Sequence, residues 1–181
     1  ATSIMNLSSE DEFFKIVDKN ADKLIKIRNS VIFYPYLTGA FGPDFDIDSK
    51  ASFLNIEIGH TYLDLVKAIM EGIGFQLKKI LLVLKEKEIN PQNIKMVGGG
   101  AKNKIWPKII ADITNLNILV PKNKDEGFAT RGAAIIAGYG AKIFSSIEEG
   151  YNKLESEFKV IRPNPENVEF YENKFKLFLL G

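Results

Sequence analysis

The stretch that most constrains this chain is Met96-Val97-Gly98-Gly99-Gly100-Ala101-Lys102-Asn103-Lys104-Ile105-Trp106, where a short apolar strand meets three glycines and then a helix start. Three adjacent residues without Cβ let a bulky group approach the backbone, and the first turn of a helix presents N–H groups that have no partner of their own. An anion is the natural guest of such a bend. The same glycines would equally serve a tight turn that needs φ > 0, and the local pattern leaves both readings open. Asn103 either caps the helix or hydrogen-bonds a purine edge, because its amide both donates and accepts. Lys102 either neutralises phosphate or is simply solvated.

Around this bend the chain reads as alternating strands and helices. A helix is predicted over 9–19, opened by Ser9 with Glu12 as a capping box and carrying Phe13, Phe14, Ile16 and Val17 on its apolar face. Val31 to Leu37 reads as a strand, pushed to an edge or cut short by Pro35, and a turn-rich loop with hydrophobic anchors follows from Thr38 to Asp48. Ala51 to Ile58 is a second strand. His60-Thr61 then opens the longest helix, about 61–88, with Leu65, Ile69, Ile73, Leu77, Ile80 and Leu84 as its core stripe, widened by Tyr62, Val66, Met70 and Leu81. Gly72 and Gly74 within it cost about 1 kcal/mol each, which points to close packing against another backbone.

Further strands are predicted at 94–97 and 116–120, with a helix over 103–114 whose first turn holds Pro107. After a charged loop at 122–126 comes a small-residue helix, 127–139, whose bare surface suits tight helix packing or a pocket wall. Ser145 with Glu148 caps a short helix to about 154, Phe158 to Ile161 is strand-like, and a helix closes the chain over 167–180. The order from 51 to 140 is the α/β pattern, with crossover helices covering a mostly parallel sheet and ligands collecting at the carboxyl ends of its strands.

Composition excludes several classes. With 24 basic and 23 acidic residues the net charge is +1, so there is no electrostatic footprint for nucleic acid or an anionic membrane. The absence of cysteine rules out disulfides and thiolate metal sites, and one histidine cannot build a His-rich metal cluster. No 18-residue apolar run and no signal segment stand out. The 181 residues, 45% apolar, suffice for one domain, read over 1–181 as a cytoplasmic protein. Gly-x-x-x-x-Gly-Lys-Ser/Thr and Gly-x-Gly-x-x-Gly elements are both missing. His60 reads as a helix-start residue. Asp44, Asp46 and Asp48 read as turn residues, since a calcium loop would also need a glycine and a distal glutamate.

Four segments, in order, carry a resemblance. Phe33-Tyr34-Pro35-Tyr36-Leu37-Thr38-Gly39, then Ala51-x-Phe53-x-Asn55-Ile56 with Asp64-Leu65-x-x-Ala68-Ile69-Met70-Glu71, then Val97 to Asn103 followed by Trp106 and Ala111-Asp112, and last Glu126 to Gly138 with Arg131-Gly132-Ala133-Ala134 resemble the C-terminal lobe of the FGGY carbohydrate kinases. The resemblance implies an α/β, ribonuclease H-like or actin-like ATPase fold with a mixed sheet flanked by helices. It also implies ATP with Mg²⁺ as cofactors and a sugar or polyol as substrate, xylulose above others. By similarity Gly98, Gly99, Gly100 and Ala101 would line the adenine nucleotide, Asn103 would meet the adenine, and Gly42 would touch ADP. No catalytic residue and no metal ligand carries over: the family's general base and most sugar contacts belong to segments upstream of the matched region. On this view the N-terminal sugar-binding lobe is absent, the chain has no turnover alone, and an exposed sheet edge invites self-association into a homo-oligomer. Two departures are plain: Asn55 stands where the family has glycine, and Gly39 to Pro43 lacks the Glu-Arg pair of xylulokinase-like members. Two rivals remain, a non-catalytic actin-like module and a purely structural α/β interaction domain.

Overall fold

The computed structural model describes residues 10–123, 127–154 and 156–180. The proposed Ser9–Glu12 cap and the end of the charged loop, 124–126, lie outside the described residues or side chains. Helices α1 (Glu10–Lys19) and α2 (Ala21–Lys26) lead into strand β1 (Ile32–Tyr34), which pairs antiparallel with β2 (Ser52–Leu54). The long helix α3 (Tyr62–Glu86) crosses to β3 (Asn93–Lys95), and a short α4 (Gly99–Lys102) with α5 (Trp106–Thr114) leads on to β4 (Asn117–Pro121). Then come α6 (Phe128–Gly140), α7 (Ile147–Lys153), β5 (Phe158–Ile161) and α8 (Pro165–Phe178). β3 and β4 run parallel, and β5 joins β4 antiparallel. The expected mostly parallel sheet is therefore two pieces, an antiparallel pair β1-β2 and a mixed sheet β3-β4-β5, with one parallel pair among the described strands.

Helix α3 is the spine. Thr61 and Asp64 form a capping box that starts it, Asp64 accepting from the Thr61 N–H at 2.8 Å, and the His60 ring turns the approach by accepting from the Glu57 N–H at 2.9 Å. The carbonyl oxygen of Phe33 lies 2.2 Å from where a Gly72 Cβ would sit, so the expected close backbone approach occurs between α3 and β1. At Gly74 the neighbours are instead the side chains of Ile113 and Ile110. The core stripe needs correction. Ile69, Ile73 and Ile80 are exposed, and the buried side of α3 carries Val66, Met70 and Phe75 together with Lys67, Glu71 and Lys78. Periodicity could not distinguish the two sides, because α3 is apolar around most of its circumference while α5, α8 and β1 cover only part of it.

Polar groups tie α8 to that buried side. Glu71 accepts from Lys174 Nζ at 2.6 Å and from Tyr171 Oη at 3.1 Å. Burial raises the Tyr171 phenol well above its ordinary range, with Glu71 adding to the effect. Lys67 Nζ, fully buried, lies 3.7 Å from Glu71 and donates to no acceptor. Asp112 on α5 accepts from the Asn164 N–H at 2.7 Å and from Asn167 Nδ2 at 2.6 Å, pinning the start of α8.

Two helix starts and one helix face differ from expectation. Asn164 caps α8 and Pro165 is its first residue, so the helix starts two residues before the predicted 167. The cap of α7 is Ser146, which accepts from the Glu149 N–H, while the Glu149 carboxylate reaches back to the Ser145 N–H at 2.6 Å. The capping pair is thus one residue later than predicted, an ambiguity built into Ser145-Ser146 and Glu148-Glu149. In α6 the small face is not packed: Ala129, Ala133, Ala134 and Ala137 are exposed, and only Ile135 and Gly138 are buried.

Candidate functional site

The glycine bend follows β3 directly, at the carboxyl end of the parallel pair, where α/β sheets collect ligands. Its three glycines serve different purposes. Gly98 has φ +79 and ψ −159, a conformation that a residue with a Cβ rarely adopts. Gly100 is confined from within the chain, since a Cβ there would lie 2.9 Å from Met96 Cε and 3.2 Å from the Trp106 ring. Gly99 has neither constraint: no heavy atom lies within 4 Å of its Cβ position, its φ is ordinary, and it is exposed. Neither packing nor backbone geometry accounts for the missing side chain at Gly99.

Ala101 is half-buried beside the bend. Asn103, between α4 and α5, ties down the approach to α5: its Oδ1 accepts from the Ile105 N–H at 3.0 Å and from the Trp106 N–H at 2.9 Å, and its Nδ2 donates to Asp18 on α1 at 3.3 Å. Trp106 braces the bend from below, with Nε1 donating to the Met70 carbonyl of α3 at 3.2 Å. The bend is thus held against the spine of the fold by a tryptophan and an asparagine.

Gly42 belongs to the other segment, the 39–48 loop. Its carbonyl accepts from Gln76 Nε2 on α3 at 3.3 Å, and no hydrogen bond joins it to the glycine bend among the described residues. Asp44 anchors the loop by accepting from Lys79, from Gln76 and from Tyr36 Oη, the last at 3.2 Å. Although burial opposes it, these partners hold the Asp44 carboxyl below its usual range, whereas burial, reinforced by Asp44, pushes the Tyr36 phenol up to about 12. Asp46 accepts from the Asp48 N–H at 3.0 Å and from Ser49 Oγ at 2.7 Å. Asp44 and Asp46, read from the sequence as turn residues, also anchor the loop. The sequence reading missed Gln76 and Lys79 as the groups that fix the Gly42 loop. Their only signal is a polar pair three residues apart, one helical turn, among the several polar residues of α3.

A family model described as the FGGY family of carbohydrate kinases, C-terminal domain, matches residues 7–141. The chain belongs to this family. Its glycine bend, its 39–48 loop and α3 all fall within the matched region. Xylulose kinase of Staphylococcus epidermidis is 33% identical over 150 residues, covering 83% of this chain and 30% of its own length. Xylulose kinase of Bacillus subtilis is 31% identical over the same share of each. The crystal structure of ligand-bound xylulose kinase from Lactobacillus acidophilus superposes with a TM-score of 0.73 at 25% identity, over 92% of this chain and 33% of that one. The chain therefore spans about a third of the length of these FGGY relatives, and its fold is the actin-like ATPase fold of these kinases. Among the described residues no helix is long and apolar enough to cross a membrane.

Asn55, the departure from the family's glycine, has φ +60. The position needs a left-handed backbone, and asparagine is the non-glycine residue that tolerates one at least cost. Its Nδ2 also donates to the Ser30 carbonyl at 3.2 Å.

Proposed function

We propose that this chain is the C-terminal lobe of an ATP-dependent sugar or polyol kinase, with xylulose the substrate that the named relatives favour, and that it supplies part of the adenine-nucleotide site. Gly98, Gly99, Gly100 and Ala101 would take the nucleotide against bare backbone, and Gly42 would approach it from the second loop. Asn103 would meet the adenine through its amide nitrogen, because its oxygen is committed to the Ile105 and Trp106 N–H groups. The observation that carries this reading is Gly99, an exposed residue inside the family-matched segment whose lack of a side chain nothing in the chain itself requires.

Phosphoryl transfer needs the γ-phosphate held in line with the acceptor hydroxyl, compensation of the developing charge, and a base for the hydroxyl proton. Asp44 and Asp46 are engaged as loop anchors, and among the described residues no group of three carboxylates or histidines converges on one point. On this reading Mg²⁺ arrives on the nucleotide's phosphates, and the base and most sugar contacts lie in the part of the relatives that this chain does not span. The isolated chain binds nucleotide weakly and does not turn over. The cytoplasm is the fitting compartment, and the exposed Ile69, Ile73 and Ile80 face of α3 is where self-association would occur.

The test is thermal unfolding with Mg-ADP for the natural sequence and Gly99→Val. Ligand at about a hundred times its Kd stabilises by about 2.7 kcal/mol, on the order of 5–10 °C for a chain of this size. The natural chain should show that rise, whereas Gly99→Val should unfold at the same temperature without ligand and show no rise. An equal rise in both, or none in either, would refute the site. Sugar-dependent ADP release on adding the N-terminal lobe of a xylulose kinase relative then tests the reaction itself.

A further inference from the structure

We infer that the free edge of β3 and the exposed isoleucine stripe of α3 form one docking surface, and that its occupant is a single β-strand from the longer kinase polypeptide. The inference rests on the reading of this chain as one lobe of such a kinase. Among the described residues β3 is paired on one side only, because the sheet runs β3-β4-β5. That edge is unguarded. Lys95, the charged residue of β3, donates to Tyr151 Oη, and its ammonium lies 4.8 Å from the Tyr151 ring centroid and 4.9 Å from that of Phe158 on β5. It therefore points across the sheet toward β5 and does not screen the edge against a further strand.

α3 overhangs the same edge. α5 rests on β4 and β5, with Ile110 and Ala111 in one buried cluster with Ile118 and Val120, and Leu77 of α3 joins that cluster together with Ile94 and Met96. α3 lies beside α5, the Gly74 Cβ position meeting Ile113 and Ile110. Packed helices stand about 8–10 Å apart and strands about 4.8 Å, so the neighbour of α5 is centred about two strands further on, beyond β3. At about 100° per residue, Leu77 lies about 60° round α3 from Gly74, and Ile73, Ile80 and Ile69 lie about 100–140° round, past the contact with the sheet. These three are 39%, 39% and 37% exposed. Ile69 to Ile80 spans about 16 Å, the length of a five-residue strand.

A second copy does not fill this gap. Antiparallel two-fold pairing of two β3 edges, with both α3 helices on one face, would bring the α3 axes within roughly one strand spacing, well inside the separation that packed helices need. Two copies can touch through their isoleucines, but both edges then stay unpaired. One added strand satisfies both features, taking main-chain hydrogen bonds from β3 and laying alternate apolar side chains under the stripe. The FGGY relatives have the chain to provide it: the family model is a C-terminal domain, and Staphylococcus epidermidis xylulose kinase is matched over 30% of its length.

Overlapping synthetic peptides that tile the part of Staphylococcus epidermidis xylulose kinase outside its matched 150 residues, titrated into the 181-residue chain, test the assignment. Fluorescence anisotropy reads binding, and amide hydrogen exchange reads residues 93–95. One run of overlapping peptides should bind one to one and slow exchange there at least tenfold. Their affinity should fall at least tenfold in Ile73→Glu/Ile80→Glu, whose fold is checked by circular dichroism, and also in Ile69→Glu alone. Leu177→Glu, at an exposed position on α8, should bind them as the natural chain does. The inference is overturned if no peptide binds, if those that bind leave exchange at 93–95 unchanged, or if the isoleucine variants bind equally well. It is also overturned if sedimentation finds the chain dimeric with those amides already slow, which would make a second copy the occupant. Should Mg-ADP give no thermal rise, the nucleotide reading fails while the peptide comparison still decides this one.

Discussion

Replacing Lys67 with methionine should make the protein more stable, and the gain should depend on pH in a specified way. Lys67 is 0% exposed, and its Nζ has no hydrogen-bond acceptor. Burial pulls the ammonium down from its ordinary 10.5 to about 8; Glu71 opposes this, and Arg28 and Lys174 add to it. The unfolded chain therefore holds this proton up to about pH 10.5 and the folded chain only up to about pH 8, so this residue's contribution to stability rises with pH between those values and is flat below. A gap of that size corresponds to roughly 3 kcal/mol of destabilisation at neutral pH. Methionine fills a similar volume without a charge, and Glu71 keeps Lys174 at 2.6 Å and Tyr171 at 3.1 Å. Urea unfolding at pH 7 should show Lys67→Met more stable by about 1–3 kcal/mol, equivalent to about 0.5–1.5 M in midpoint. By pH 10 the difference should shrink below about 1 kcal/mol. A variant destabilised at pH 7, with a difference that does not change up to pH 10, would mean that the ammonium is well paired, and the reasoning would fail.

Gly72→Ala should cost about 3 kcal/mol or prevent folding, because the new methyl meets the Phe33 carbonyl of β1 at 2.2 Å, whereas Gly132→Ala, with open space around it, should gain about 0.5–1 kcal/mol from helix propensity; chemical denaturation reads both. Asn55→Gly should stay within about 0.5 kcal/mol of the natural chain, and Asn55→Val should lose about 1–2 kcal/mol, since φ is +60 there. Asp112→Ala should cost about 2–4 kcal/mol by leaving the Asn164 N–H and the Asn167 amide without their acceptor, and hydrogen exchange should show faster opening at the start of α8. The Glu149 carboxylate, held at about 2 by Lys153 and Ser145, should titrate in that range by NMR and return toward 4.5 in a Lys153→Ala, Ser145→Ala variant.

Local chemistry accounts for what was legible. Proline and glycine positions, the alternation of apolar runs and the long periodic segment located most strands and helices to within a few residues, the short α2 and α4 having gone unread, and four ordered motifs pointed to the FGGY family. The glycine bend was legible because consecutive residues without Cβ are a backbone signal readable without knowing any neighbour. Asn103 was legible only as a pair of alternatives, and its hydrogen bonds from the Ile105 and Trp106 N–H groups appeared once the start of α5 was positioned. Gln76 and Lys79 were not read at all, because their role is to hold a loop more than thirty residues earlier.

Element types and the bare backbone at 98–100 are properties of the chain taken locally, since φ/ψ preference, capping and the absence of a side chain require no partner. Which side of α3 is core, which two sheets the strands form, and the burial of Lys67 and Glu71 are decided by tertiary packing. An apolar helix has several possible inner faces, and only its neighbours choose one. Charges far apart in sequence interact only when the fold brings them within a few ångström.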